Sequence, residues 1–224
     1  MMTTESRPAI GRDACVQEFF GDLSLLTDRI GVKSASLVNS NGMGLSLKPG
    51  DVVDTASLAK FVRGYRTQVL AVIELPGIIE SSQFTERGEL RELVELDRSY
   101  GESAQIRLFS EPSRWIGHCH ARRLQGMRDH RTVWRYCDAI RQGKAFGWHF
   151  VIYGIVLGAF AVPLRQGLAH YSQKILRGFL ESAAPSLKLE GETLEKLALS
   201  LTQELSSDIE NALAGQNQVP LRSV

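Results

Sequence analysis

The sequence has few of the features by which enzymes are recognised. Its 224 residues contain no GxxxxGK[ST] phosphate loop, no GxGxxG after a strand, no GxSxG elbow and no HExxH pair. The serines have no base at a recognisable offset, and the acidic residues fall mostly on helix faces expected to be solvated. The sequence therefore predicts no catalytic residue, no cofactor and no enzymatic activity.

Cysteines and targeting signals are equally scarce. Cys15, Cys119 and Cys137 are an odd number at no disulfide-framework spacing, which is typical of a reducing compartment. The first 15 residues contain no apolar segment of the kind found in secretory signals. We therefore expect a cytoplasmic protein.

Alternating patterns typical of β-strands are also lacking, and every long periodic segment has helical spacing. The fold class is predicted to be all-α, a single-domain bundle of roughly eight to ten helices. We expect residues 1–14 to be a disordered lead, 15–214 to form the helical domain and 215–224 to be a flexible tail. Within the domain, a helix is expected to begin at Asp54 or Thr55, one to begin near Pro163 and stop at Pro185, and one to span 193–214.

One long apolar segment is present, from Ala145 to Val162, and His149 is its only strongly polar side chain. A helix that is apolar on all sides belongs in a protein core or a bilayer. Gly154 and Gly158 form a small-xxx-small pair that allows close helix packing in either setting. A buried neutral imidazole is the simpler interpretation of His149, and a functional contact is the alternative. A single-pass membrane protein that dimerises through these glycines remains an alternative at this point.

Charge is nearly balanced overall, at +1, but it is unevenly distributed. Residues 107–144 contain nine Lys or Arg against three acidic residues, and residues 186–224 contain three against six. The asymmetry indicates a basic face and an acidic region suited to docking onto partners. A basic helical nucleic-acid binder that uses Arg114 to Arg135 is a further alternative, although no nucleic-acid-binding motif accompanies it.

Thiol and imidazole groups cluster at His118, Cys119 and His120, and such groups are ligands for zinc and nickel. On a helix, however, positions 118 and 120 point away from each other. These three residues are therefore weak metal candidates, and a basic surface helix is the preferred interpretation.

Several motifs in order resemble the UreF family of urease accessory proteins. They are His149-Phe150-Val151-Ile152-Tyr153-Gly154, Val162-Pro163-Leu164, Tyr171, Ser182-Ala183-Ala184 and, upstream, Ser40-Asn41-Gly42-Met43, Leu75-Pro76 and Leu96-Asp97-Arg98. The resemblance spans roughly residues 23–210.

This resemblance implies an all-helical, non-enzymatic protein that forms a homodimer, with no nucleic acid or membrane partner. It implies binding to a UreD-like (UreH-like) accessory protein, recruitment of the UreG-like GTPase and delivery of nickel to apo-urease. The partner contacts that it suggests are Ser40, Asn41, Gly42, His149, Tyr153, Tyr171, Leu221, Arg222 and Ser223.

Overall fold

A computed structural model of the protein describes residues 52–107, 109–126 and 129–216, and these residues form helices without a β-strand. In chain order they are α1 (Thr55–Tyr65), a π-helix (Arg66–Glu74), α2 (Leu75–Arg87), α3 (Leu90–Tyr100), α4 (Ala104–Arg107), α5 (Ser110–Leu124), α6 (Arg131–Arg141), α7 (His149–Ala159), α8 (Leu164–Leu187), α9 (Gly191–Thr202) and α10 (Leu205–Gln216). The predicted lead, Cys15, the Ser40–Asn41–Gly42 motif and the Leu221–Arg222–Ser223 motif lie outside the described residues.

The first helix begins where the sequence predicts. The Asp54 side chain accepts a 2.7 Å hydrogen bond from the Ser57 backbone N–H. In return, the Ser57 hydroxyl oxygen accepts a hydrogen bond from the Asp54 backbone N–H. This capping box satisfies backbone donors that a helix start otherwise leaves without partners.

The chain then continues without a break through the π-helix into α2. Proline cannot donate the usual backbone hydrogen bond and clashes with the preceding turn of an α-helix. The wider π-helical turns end at Glu74, two residues before Pro76, and the Leu75 N–H bonds to the Leu70 carbonyl five residues back. α2 therefore begins at Leu75, directly after the π-helix, and Pro76 lies in its first turn.

The apolar segment forms a central helix that is shorter than expected. α7 spans His149–Ala159, and its residues from His149 to Leu157 are all buried. It packs most extensively against α2 and also against α5. Residues 145–148 are instead a loop, and Ala161 adopts a left-handed φ of 53° just after the helix ends. No helix among the described residues is both long and apolar enough to cross a membrane.

The two glycines of α7 make contacts within the chain. A Cβ atom at Gly154 would lie 2.3 Å from the Ile78 carbonyl oxygen, and one at Gly158 would lie 2.5 Å from the Ser82 carbonyl oxygen. The small-xxx-small pair thus lets α7 approach the backbone of α2 within one chain. The glycines therefore serve internal packing instead of the dimerisation of a membrane helix.

The C-terminal helices depart from expectation in two places. α8 continues through Pro185 to Leu187 and ends at Lys188 in a left-handed conformation, so Pro185 does not stop it. The helix expected over 193–214 is divided at Gln203 and Glu204 into α9 and α10. The all-α, single-domain prediction is confirmed. The described residues form ten α-helices and one π-helix, so the expected count of eight to ten helices is slightly off.

Candidate functional site: a buried polar cluster around His149

A cluster of polar side chains lies in the middle of the apolar core, where α1, the π-helix, α5, α7 and α8 meet. His149 begins α7, and its Nδ1 atom lies 2.7 Å from the Ser113 hydroxyl of α5. Its Nε2 atom lies 2.8 Å from the Tyr171 hydroxyl of α8 and 3.6 Å from Oε1 of Glu74. The Tyr65 hydroxyl donates a 2.7 Å hydrogen bond to the same Glu74 oxygen. The cluster therefore ties the continuous segment of α1 and the π-helix to α5, α7 and α8, which follow much later in the sequence.

The π-helix is what brings Tyr65 and Glu74 together. In an α-helix, nine residues correspond to about two and a half turns, so these two side chains would lie on opposite faces. The π-helix has more residues in each turn, because its hydrogen bonds run from i to i+5. The wider turn places both side chains on the buried side, where they form their hydrogen bond.

One arrangement of protons satisfies both ring nitrogens of His149. The Ser113 hydroxyl donates to Nδ1, Nε2–H donates to the Tyr171 oxygen, and the Tyr171 hydroxyl donates to the Glu74 carboxyl group. A neutral imidazole with one donor and one acceptor nitrogen fits this chain. Buried polar groups normally have such partners, which explains how an apolar helix tolerates a histidine.

Burial sets the ionisation of the two central residues. It raises the pKa of Glu74 to about 7, against the hydrogen bonds from Tyr65 and Tyr171, which lower it. It lowers the pKa of His149 to about 3, with a smaller contribution from His120. Desolvation disfavours the charged form of each group. Between about pH 3 and pH 7 the Glu74–His149 pair is therefore mainly a contact between neutral groups rather than a salt bridge.

The order Ser113–His149–Glu74 is superficially that of a hydrolase triad, with nucleophile, base and acid. The geometry differs, because Tyr171 rather than Glu74 occupies Nε2 at hydrogen-bond distance. All three side chains are also closed off, with relative exposures of 2% for Ser113, 1% for His149 and 2% for Glu74. A reacting group must reach its substrate. The geometry gives this cluster a structural role.

A second buried group, Asp97 of α3, fixes the loop that leads into α7. Its carboxylate accepts hydrogen bonds from the backbone N–H groups of Phe146, Gly147 (2.9 Å) and Trp148 (3.3 Å), and from the Tyr136 hydroxyl (2.7 Å). Its carbonyl oxygen accepts from the Trp148 indole at 2.8 Å. Burial raises the pKa of Asp97, and these hydrogen bonds lower it. The loop they hold sets the position of His149.

The structure places three of the suggested partner residues in this core. His149, Tyr153 and Tyr171 are at most 1% exposed, and the Tyr153 and Tyr171 rings lie 4.8 Å apart. The Tyr153 hydroxyl donates to the Gly167 carbonyl of α8 at 3.1 Å. These residues can influence a partner only through the helices that they position.

The His118–Cys119–His120 cluster does not converge. His118 Nε2 lies 2.9 Å from the Phe146 carbonyl oxygen, and the Arg122 guanidinium lies 3.4 Å from the Cys119 sulfur. His120 lies on the buried side of α5 and is 1% exposed. Among the residues that the structure describes, no group of three or more His, Cys, Asp or Glu side chains could hold a metal ion.

Sequence reasoning missed Ser113, Glu74 and Asp97. Glu74 carries a usable signal, since it is the only charged residue between Val69 and Ile79. Such an isolated carboxyl in an apolar run indicates burial. Asp97 carries no comparable signal, because it stands among charged neighbours on a helix with a solvated face.

The fold and this site together define an all-α protein whose ionisable core groups organise helix packing. The UreF family model matches residues 52–189, more than half of the chain. The chain therefore belongs to the UreF family, which is a family of urease accessory proteins. No curated protein matches the chain.

Proposed function

We propose that this protein is a non-catalytic scaffold for urease maturation. In this role it binds a UreD-like (UreH-like) protein, recruits the UreG-like GTPase and supports the insertion of nickel into apo-urease in the cytoplasm. Nickel is the cargo of this process rather than a cofactor of the chain. We also propose that the protein acts as a homodimer.

The observation that carries the proposal is the family match over residues 52–189, which includes all of α1 to α8. The closed core supports it. Because Ser113, His149 and Glu74 are enclosed, the chain acts on other molecules through its surface. Surface recognition is what a scaffold requires.

The test is reconstitution of urease activation. Urease subunits are produced with UreD-like and UreG-like proteins, with and without this chain, in medium containing nickel. We expect this chain to co-purify with the accessory proteins and to raise both the nickel content and the ammonia release of the purified urease. Equal nickel content with and without the chain would contradict the proposal.

A matched control separates scaffolding from a general effect of added protein. Gly154→Leu places a large side chain where even a Cβ atom would lie 2.0 Å from the Ser81 hydroxyl, so this variant is expected to lose its fold. Activation by the unfolded variant as strong as that by the wild type would also overturn the proposal. Sedimentation of the purified wild-type chain tests the homodimer.

A further inference from the structure

The outer face of α6 combines positive charge with an exposed aromatic ring. Its inner side is buried through Val133, Tyr136, Cys137 and Ile140. Trp134 and Arg135 follow the exposed Arg131 by three and four residues, a spacing that places residues on the same side of a helix, and the exposed Arg141 ends the helix. We call them the α6 face; they are Arg131, Trp134, Arg135 and Arg141.

Most of the positive charge on the α6 face has no internal counterpart. Arg131 and Arg135 form no ion pair with any acidic residue among those that the structure describes. Arg141 pairs with Asp138, and Lys144 is exposed just beyond the helix end. Arg131 and Arg135 are like charges four residues apart on a helix, and their repulsion slightly destabilises the helix.

The acidic residues of the C-terminal region, in contrast to the arginines of the α6 face, mostly form ion pairs within the chain. On α9 and α10, Glu195 pairs with Arg177, Glu210 with Arg165 and Glu192 with Lys196. Glu204 and Asp208 both pair with Arg66. The excess of acid in this part of the sequence is thus largely neutralised within the chain. The basic charge of the α6 face remains available to another molecule.

Trp134 adds an apolar contact to this charge. It is 41% exposed on the α6 face, three residues after Arg131 and directly before Arg135. Tryptophan and arginine are the residues most enriched among those that dominate binding energy in protein interfaces. Two arginines around a half-exposed tryptophan match an acidic protein surface that carries an apolar patch.

We propose that the α6 face is a docking surface for a carboxylate-rich surface of one of the protein partners in the urease maturation complex. This inference rests on the proposed function and assigns one of its partner contacts to the α6 face. Arg131 and Arg135 supply the charge complementarity, and Trp134 supplies the buried anchor.

The test compares two charge-reversal variants of the full chain. R131E/R135E reverses the α6 face. K60E/R63E reverses two exposed basic residues on α1 and changes the net charge by the same amount. Thermal melts verify that both variants are folded. Binding to immobilised UreD-like protein and to UreG-like GTPase, separately and together, is then measured in about 50 mM and about 500 mM NaCl.

We expect R131E/R135E to weaken the affinity for one partner at least roughly tenfold in low salt and K60E/R63E to leave it within about twofold. Salt should weaken the wild-type complex and have much less effect on that of R131E/R135E. Trp134→Ala should weaken binding without changing its salt dependence. Unchanged binding of R131E/R135E to both partners would overturn the inference and leave the proposed function standing. A wild-type chain that binds neither partner would overturn the proposed function as well.

Two other occupants of the α6 face are distinguished in the same experiment. If R131E/R135E loses retention of a duplex DNA oligonucleotide but keeps its protein partners, the α6 face binds nucleic acid and the inference is wrong. If sedimentation shows that R131E/R135E alone separates a dimer into monomers while partner binding persists, the occupant is a second copy and the inference is again wrong.

Discussion

Two buried carboxyl groups, Glu74 and Asp97, are held in different ways. Glu74 is hydrogen-bonded by the neutral hydroxyls of Tyr65 and Tyr171, whereas Asp97 receives three backbone N–H bonds and one tyrosine hydroxyl. Backbone N–H groups aimed at a carboxylate stabilise its charged form more than a pair of hydroxyls in a dry core does. Replacing each residue therefore has different consequences.

Glu74→Gln changes how stability depends on pH. The folded pKa of Glu74, about 7, lies above its ordinary value of 4.5, so its contribution to stability is complete below about pH 4.5 and is lost as the pH rises through 7. Glutamine removes this loss. We expect the free energy of unfolding of Glu74→Gln to rise relative to the wild type between pH 4.5 and 7, as measured by urea unfolding. Glu95→Gln on the exposed face of α3 is the control, and its difference from the wild type should stay small throughout. A constant difference for Glu74→Gln would contradict this assignment.

The contribution of His149 to stability changes with pH in the opposite direction. Its folded pKa of about 3 lies below the ordinary histidine value of 6.5, so its contribution to stability is complete above pH 6.5 and is lost as the pH falls through 3. In the wild type the two effects oppose each other between pH 4.5 and 6.5. In Glu74→Gln only the His149 effect remains, so the two proteins should lose stability in parallel between pH 4.5 and 3. A steeper loss for the wild type in that interval would contradict this, because it would mean that a Glu74 carboxylate paired with a protonated His149 is being neutralised as the pH falls.

Asp97→Asn tests the loop that positions α7. Asparagine keeps the shape but turns an amide NH₂ toward backbone donors that need an acceptor. Leaving such buried groups without partners costs roughly 2–4 kcal/mol in total. We expect a loss of that size in urea unfolding at neutral pH, with faster hydrogen exchange of the amides of Phe146, Gly147 and Trp148. Asp138→Asn is the control, because Asp138 pairs with Arg141 near the surface and should cost less than about 1 kcal/mol.

At the scale of single elements, most helices follow from the sequence and the π-helix does not. The apolar stripes of α5 and α6 and the cap at Asp54 are local patterns that a 3.6-residue period detects. The π-helix has more residues per turn than an α-helix, so it changes the spacing of buried positions in the middle of a continuous helical segment. For this reason the hydrogen bond between Tyr65 and Glu74 could not be predicted from spacing.

The contact between α2 and α7 depends on glycine at position 154. A Cβ atom there would meet the Ser81 hydroxyl at 2.0 Å and the Ile78 carbonyl at 2.3 Å, and the backbone carbonyl cannot easily move away. We expect Gly154→Ala to cost at least about 2 kcal/mol, even though alanine favours helices by about 1 kcal/mol. Gly215→Ala in α10 meets nothing within 4 Å and should be neutral or slightly stabilising. Chemical denaturation of both variants measures the difference, and a neutral Gly154→Ala would show that the helices can separate.

At the scale of the whole molecule, the family resemblance and the helical periodicity correctly indicate the fold class. The candidate site is a different matter. His149 stands out by its position in an apolar segment, but its partners Ser113, Glu74 and Tyr171 lie 36, 75 and 22 residues away in sequence. Only the packing of the helices brings these groups together, so the cluster becomes visible in the structure alone.

The helical domain extends beyond the residues that the family model matches, because α9 and α10 follow residue 189. α9 packs against α8 and α1, and α10 packs against α8, α2 and the π-helix. Leu201, Leu205 and Ile209 are each at most 4% exposed. The C-terminal pair is thus part of the same core rather than an appended segment.

A pair of leucines on α9 tests this integration. Leu201 is 1% exposed and Leu199 is 65% exposed, so the same substitution at the two positions differs only in burial. We expect Leu201→Ala to lower the free energy of unfolding by about 2–4 kcal/mol, because it removes buried apolar atoms and leaves a cavity. Leu199→Ala should change it by less than about 0.5 kcal/mol. If α9 and α10 are part of one cooperative unit, tryptophan fluorescence, which reports on Trp115, Trp134 and Trp148, all outside α9 and α10, and circular dichroism should shift together in Leu201→Ala. A circular dichroism transition that precedes the fluorescence transition would instead show that the C-terminal helices unfold separately from the rest of the core.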